Sequence, residues 1–135
     1  MKFAAIIAFL YWLLLPLSVS AHGMQPALTT QVTTTNSVRM DYELHNAYEF
    51  PAVYRVEIFD ANFDAISSKF WKIDREVNEY RLKPDSRTKV SLLLRATKGV
   101  TKMIVCTTLI GVSYEEIEPS NISRVCSRLI IKRPS

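Results

Sequence analysis

Two cysteines, each set inside a run of β-forming residues, constrain this chain more than any other feature. Cys106 lies within Lys102-Met103-Ile104-Val105-Cys106-Thr107-Thr108-Leu109-Ile110. Cys126 lies within Arg124-Val125-Cys126-Ser127-Arg128-Leu129-Ile130-Ile131-Lys132-Arg133. A polar connection, Gly111 to Ser123, joins the two runs. The pattern predicts a terminal β-hairpin closed by its own disulfide. If the disulfide is directly cross-strand, it sets the register. Met103 then faces Leu129, Val105 faces Ser127 and Thr107 faces Val125. With Leu109 and Ile131, that face is mainly apolar and is expected in the core. The other face carries the Cys106–Cys126, Ile104–Arg128 and Lys102–Ile130 pairs, with Arg124 and Lys132. A slip of one residue would exchange the two faces.

The amino terminus sets the expected compartment. Lys2 is the only early charge, Phe3–Leu17 is an apolar run, and Val19-Ser20-Ala21 has the small residues of a signal-peptidase site. The run falls short of the ~20 residues of a membrane span. Residues 1–21 are therefore expected to be a cleaved signal peptide, leaving no stable membrane span and an exported domain over 22–135. Loss of Lys2 lowers the formal charge of +4 by one. The remaining cations are scattered and not interleaved with aromatics, which argues against a nucleic-acid partner. In an oxidising compartment an even cysteine count favours pairing.

From His22 on, the dominant apolar period is two. His22–Thr34 reads as an entry strand with an edge position at Pro26. Val38, Met40, Tyr42 and Leu44 alternate with polar residues, as do Ala52, Tyr54, Val56 and Ile58. Phe63–Arg81 fits either a helical turn or a strand and crossover. Leu82-Lys83-Pro84-Asp85-Ser86 reads as a turn, and Val90, Leu92 and Leu94 alternate again. About seven short strands at this spacing predict an all-β, immunoglobulin-like sandwich.

Several stretches carry a family resemblance: His22-Gly23-Met24-Gln25-Pro26 at the mature start, Leu44-His45-Asn46 before Phe50-Pro51-Ala52-Val53-Tyr54, Tyr80 to Val90, and the terminal Arg133-Pro134. Together they resemble the amino-terminal immunoglobulin-like domain of the PapD-like periplasmic chaperones of the chaperone–usher pilus pathway. The resemblance covers most of residues 24–134. It implies a chaperone-like or accessory binding module for pilus or other surface-fibre subunits, with an outer-membrane usher or a second assembly protein as a further partner. Those chaperones continue into a second domain after Arg-Pro, and this chain is expected to act without one of its own. They also hold a client carboxylate with an Arg in the first strand and a Lys in the last. Met24–Thr35 has no basic residue, and the last-strand position falls on Leu129, so carboxylate anchoring does not carry over. What carries over is β-augmentation, the addition of a partner strand to an exposed sheet edge.

The last strand is the expected edge. The partner-binding residues expected on it and its neighbour are Ile104, Arg124, Arg128, Ile130 and Lys132. A structural component of a fibre or assembly complex is the alternative. A further alternative is copper binding by His22 as the mature amino-terminal residue, for which His45 is the single possible imidazole partner. Glu115, Glu116 and Glu118 are read as solvated, and Asn121-Ile122-Ser123 matches a glycosylation sequon that would serve as a loop acceptor only in a eukaryotic secreted protein. No nucleophile–base pair, phosphate loop or zinc spacing is present, so neither catalysis nor a cofactor is expected.

Overall fold

Alternation of apolar and polar residues drives the chain into strands that bury one face each. A computed structural model describes residues 22–113, 115–116 and 123–135. The expected signal segment, Glu118, Asn121 and Ile122 lie outside them. The described elements are β1 (Gly23–Gln25), β2 (Leu28–Val32), β3 (Ser37–His45), β4 (Ala52–Asp60), β5 (Trp71–Ile73), β6 (Glu79–Leu82), β7 (Arg87–Arg95), β8 (Gly99–Val112), β9 (Glu115–Glu116) and β10 (Arg124–Arg133). One sheet runs β1-β3-β7-β5. The other runs β2-β10-β8-β4-β6, with β9 paired to β8. No α-helix forms among the described residues, so the two readings of Phe63–Arg81 resolve to the short strands β5 and β6.

The core lies between the sheets. Val38, Met40, Tyr42 and Leu44 of β3 meet Val90, Leu92 and Leu94 of β7 along an in-phase antiparallel ladder. Opposite them stand Ala52, Tyr54, Val56 and Ile58 of β4, Met103 and Val105 of β8, and Leu129 and Ile131 of β10. Full burial of each such side chain contributes about 1.5–3 kcal/mol. The Tyr42 hydroxyl is buried with no hydrogen-bond partner among the described residues. Ser127 lies beside it; its hydroxyl donates to the Pro26 carbonyl and its oxygen can still accept.

The hairpin register is the one the cysteines imply. Cys106 pairs with Cys126, Met103 with Leu129, Val105 with Ser127 and Thr107 with Val125. The disulfide spans this pair with Cα atoms 4.1 Å apart, the close approach of a pair whose amides point away from each other. On the outer face it packs with Phe59 and Ile104 as a small second cluster.

The entry segment departs from the expected single strand. It breaks at the Gln25-Pro26 peptide and changes sheets: β1 pairs antiparallel with β3, and β2 pairs parallel with β10 from Arg128 to Lys132. Proline has no amide proton to continue a ladder, which is why the break falls there. The last strand is therefore not the edge over its second half, because β2 covers it. Two stability outcomes follow. Replacing both cysteines by serine should lower the unfolding free energy by about 3 kcal/mol, the entropy of a loop of this length, read by denaturant titration. Ser127→Ala should lower it by about 1 kcal/mol, because it deletes the buried hydroxyl that donates to the Pro26 carbonyl.

Candidate functional site

β10 has a different neighbour along each half. From Arg128 to Lys132 it lies between β8 and β2. From Arg124 to Ser127 it is paired to β8 alone. The Arg128 amide donates to the Ala27 carbonyl (2.9 Å) and the Lys132 carbonyl accepts from the Thr33 amide (3.0 Å). Even-numbered residues of β10 therefore turn their backbone groups away from β8, since alternate residues of an antiparallel strand do so. At Arg124 and Cys126 these groups meet no strand among the described residues. β1 passes near this flank but forms its own ladder with β3.

Of the side chains expected to meet a partner, Arg128 and Lys132 are exposed on the outer face, and Arg124 and Ile130 are half-buried. Ile104 is a correction: it is only 9% exposed, because Phe59 and the disulfide cover it. Arg124 is also tied down. Its Nε donates to Thr108 Oγ1 (3.1 Å), its Nη2 stands 3.7 Å from a Glu57 carboxylate oxygen, and its guanidinium lies 5.5 Å from the Phe59 ring centroid. Leu129, level with the chaperones' last-strand Lys, is buried in the core.

His22 sits at the same end of the sandwich, 4% exposed. Its Nε2–H donates to the Thr107 carbonyl (3.0 Å), which can only accept. Nδ1 is thereby left to accept from the Ser123 hydroxyl (3.1 Å), which in turn accepts from the Tyr48 hydroxyl (3.1 Å). The Tyr54 ring lies 4.6 Å from the imidazole. Burial holds the imidazole below its ordinary value of 6.5, against the opposing pull of the Thr107 carbonyl. His22 is thus a satisfied interior residue that joins the chain's entry to the start of β10. Both ring nitrogens are engaged in these bonds, so neither is free as a ligand for copper. His45 does neighbour it, through the Gly23–His45 pair, but is bonded to Asp85 at 2.9 Å. No group of three metal-ligating side chains occurs among the described residues.

Sequence reasoning named Asn46 only as the end of the family-like stretch Leu44-His45-Asn46 and gave it no structural role. It is fully buried. Its Nδ2 donates to the Phe50 and Lys83 carbonyls (both 3.0 Å), and its Oδ1 accepts from the Tyr54 hydroxyl (2.8 Å) and the Tyr48 amide (3.2 Å). It binds the β3–β4 loop to the β6–β7 turn beneath the His22 network. The one available signal was an Asn directly after a clean strand.

No family model matches the chain, and no curated protein matches it in sequence. Solved structures match its fold. The structure of Salmonella enterica SafA pilin in complex with the SafB chaperone aligns at a TM-score of 0.63 and 10% identity, over 86% of this chain and 56% of that one. The E. coli chaperone DraB aligns at 0.63 and 9%, over 85% and 56%. PapD-like domain 7 of human CEP192 aligns at 0.55 and 10%, over 89% and 92%. The fold is that of a PapD-like domain. The chain spans little more than half the length of the bacterial chaperones it matches. In this PapD-like sandwich, no helix among the described residues is long and apolar enough to cross a membrane.

The His22 pocket has a pH signature. A histidine whose folded pKa is depressed contributes stability that is full above the unfolded value and is lost as pH falls through the folded one. The wild type should therefore lose stability below pH 6.5 with a slope of at most about 1.4 kcal/mol per pH unit from this residue. His22→Gln should lack that component, so that the gap between the two proteins in denaturant titrations narrows from pH 7.5 to 5.

Proposed function

We propose that this chain is an exported, non-catalytic, chaperone-like module that binds pilus or other surface-fibre subunits in the periplasm by pairing with an extended partner segment. The observation that carries the reading is the open ladder at Arg124–Ser127, where β10 has a strand on one side only among the described residues. A sheet edge with unpaired amide and carbonyl groups is a template for an added strand. The disulfide immobilises this half of β10 against β8, so a partner strand meets an edge that is already ordered and loses less entropy on docking. The nearby exposed cation Arg128 favours a partner that brings acidic side chains along its outer face.

The fold neighbours support this reading by analogy: one is a complex of a pilin with its chaperone, and another a complex of a chaperone with a tip adhesion subunit. An outer-membrane usher or a second assembly protein would be the next partner along such a route. The contrast between Arg124→Pro and Arg124→Ala tests the mechanism. Both lose the side-chain contacts to Thr108, Glu57 and Phe59, but only proline removes the outward amide. In periplasmic co-expression with a fimbrial subunit, the proline variant should recover at least tenfold less subunit than the alanine variant, at matched unfolding midpoints. Equal recovery would exclude strand pairing at this edge.

A further inference from the structure

β2 faces the wrong way for an ordinary half-buried strand. Thr29 and Gln31 share the face of Leu129 and Ile131, their partners in β10, and so turn their polar side chains toward the core. Leu28 and Val32 turn outward, 64% and 69% exposed. β2 is also the terminal strand of its sheet. Native sheets guard such edges with charge, proline, extreme shortness or a covering segment. The other three strands that end the described sheets follow that rule: β5 carries Lys72, β6 carries Glu79 and Arg81, and β1 is three residues long and ends before Pro26. β2 has neither charge nor proline within its five residues, no described segment covers its exposed Leu28 and Val32, and no charged residue occurs anywhere from Met24 to Thr35.

We propose that β2 is a self-pairing edge, through which two copies of this chain join antiparallel about a twofold axis at Thr30. The parallel ladder to β10 sets which groups are available. The Ala27 carbonyl and the Thr33 amide both point to β10, so the odd-numbered residues of this segment bond inward and Leu28, Thr30 and Val32 turn their N–H and C=O groups outward. With Thr30 opposite Thr30 of the second copy, Leu28 falls opposite Val32 of that copy, and the reverse. All three outward residues then exchange both of their hydrogen bonds, and on the outer face each exposed Leu28 meets an exposed Val32. A shift of two residues either way gives up part of the ladder and sets an apolar side chain against Thr30. The strand is complementary to itself in one register.

The charges permit the joint. The nearest cations on the outer face, Arg128 and Lys132, stand one strand inward. Across the joint the two β10 strands are three spacings, ~14 Å, apart, beyond the screening length of ~8 Å at physiological ionic strength. A twofold contact closes on itself, so association stops at two copies. A joint of this length falls below the ~1,000 Å² typical of a stable interface, so the dimer should be weak and concentration-dependent. The open flank of β10 plays no part in it, and the inference stands apart from the proposed function.

Sedimentation of the full mature chain, with its native disulfide intact, tests this. Across a hundredfold rise in concentration the mass should climb from one copy toward two. Thr30→Pro removes an outward amide but no bond to β10. Leu28→Lys places a charge at the joint. Each should weaken association at least tenfold at an unchanged unfolding midpoint. Thr30→Cys should join two copies through a disulfide at position 30 on mild oxidation, because paired residues here stand ~5.5 Å apart, within disulfide reach. A wild type that stays a monomer at the highest concentration would overturn the proposal, including the case in which some other protein's strand occupies β2. So would a dimer that both substitutions leave intact, or one that yields no crosslink at position 30.

Discussion

The ladder between β8 and β10, stapled at Cys106–Cys126, sets where everything else on the second sheet points. Once those two residues face each other, the odd-numbered side chains of β10 enter the core and the even-numbered ones stay outside. The same parity turns the even-numbered amides away from β8. Those of Arg128, Ile130 and Lys132 meet β2, and those of Arg124 and Cys126 meet no strand among the described residues. A single pairing thereby decides the core, the outer face and the open flank together, since one residue of slip would invert all three.

One end of the sandwich is closed by polar rather than apolar contacts. His22, Ser123, Tyr48, Tyr54 and Asn46 form a connected network around the point where the chain enters β1 and where β10 begins. Buried polar groups are tolerable only when their bonds are made, and here the Thr107 carbonyl assigns the histidine tautomer that lets the rest follow. The network binds the chain's entry to the base of the open flank, so the two ends of the domain that border the candidate edge are held as one piece.

The strand periodicity was legible because it is local. The alternations around Tyr42, Tyr54 and Leu92 each describe one strand and its buried face, and each strand buries that face. The hairpin register was legible because a covalent bond between two strands removes the usual freedom of slip. The candidate site was legible in part. Arg128 and Lys132 do stand on the outer face, whereas Ile104 is covered by Phe59, a residue from a strand whose position beside β8 no local pattern discloses. His22 reads in the sequence as a lone imidazole at a cleavage junction. Its partners are Thr107 and Ser123, more than eighty residues away.

The sequence by itself determined an all-β chain, its principal strand faces and the pairing of its last two long strands, because apolar periodicity and a disulfide act over neighbouring residues. Which strand lies at the edge was decided only by the tertiary structure. The segment from Gly23 to Val32 has the composition of one extended strand, and nothing local says that its two halves serve different sheets. That division depends on Pro26 meeting the gap between sheets, with β3 on one side and β10 on the other. It moves the second-sheet edge from the cationic last strand to the uncharged β2, and leaves β10 open only beside its disulfide.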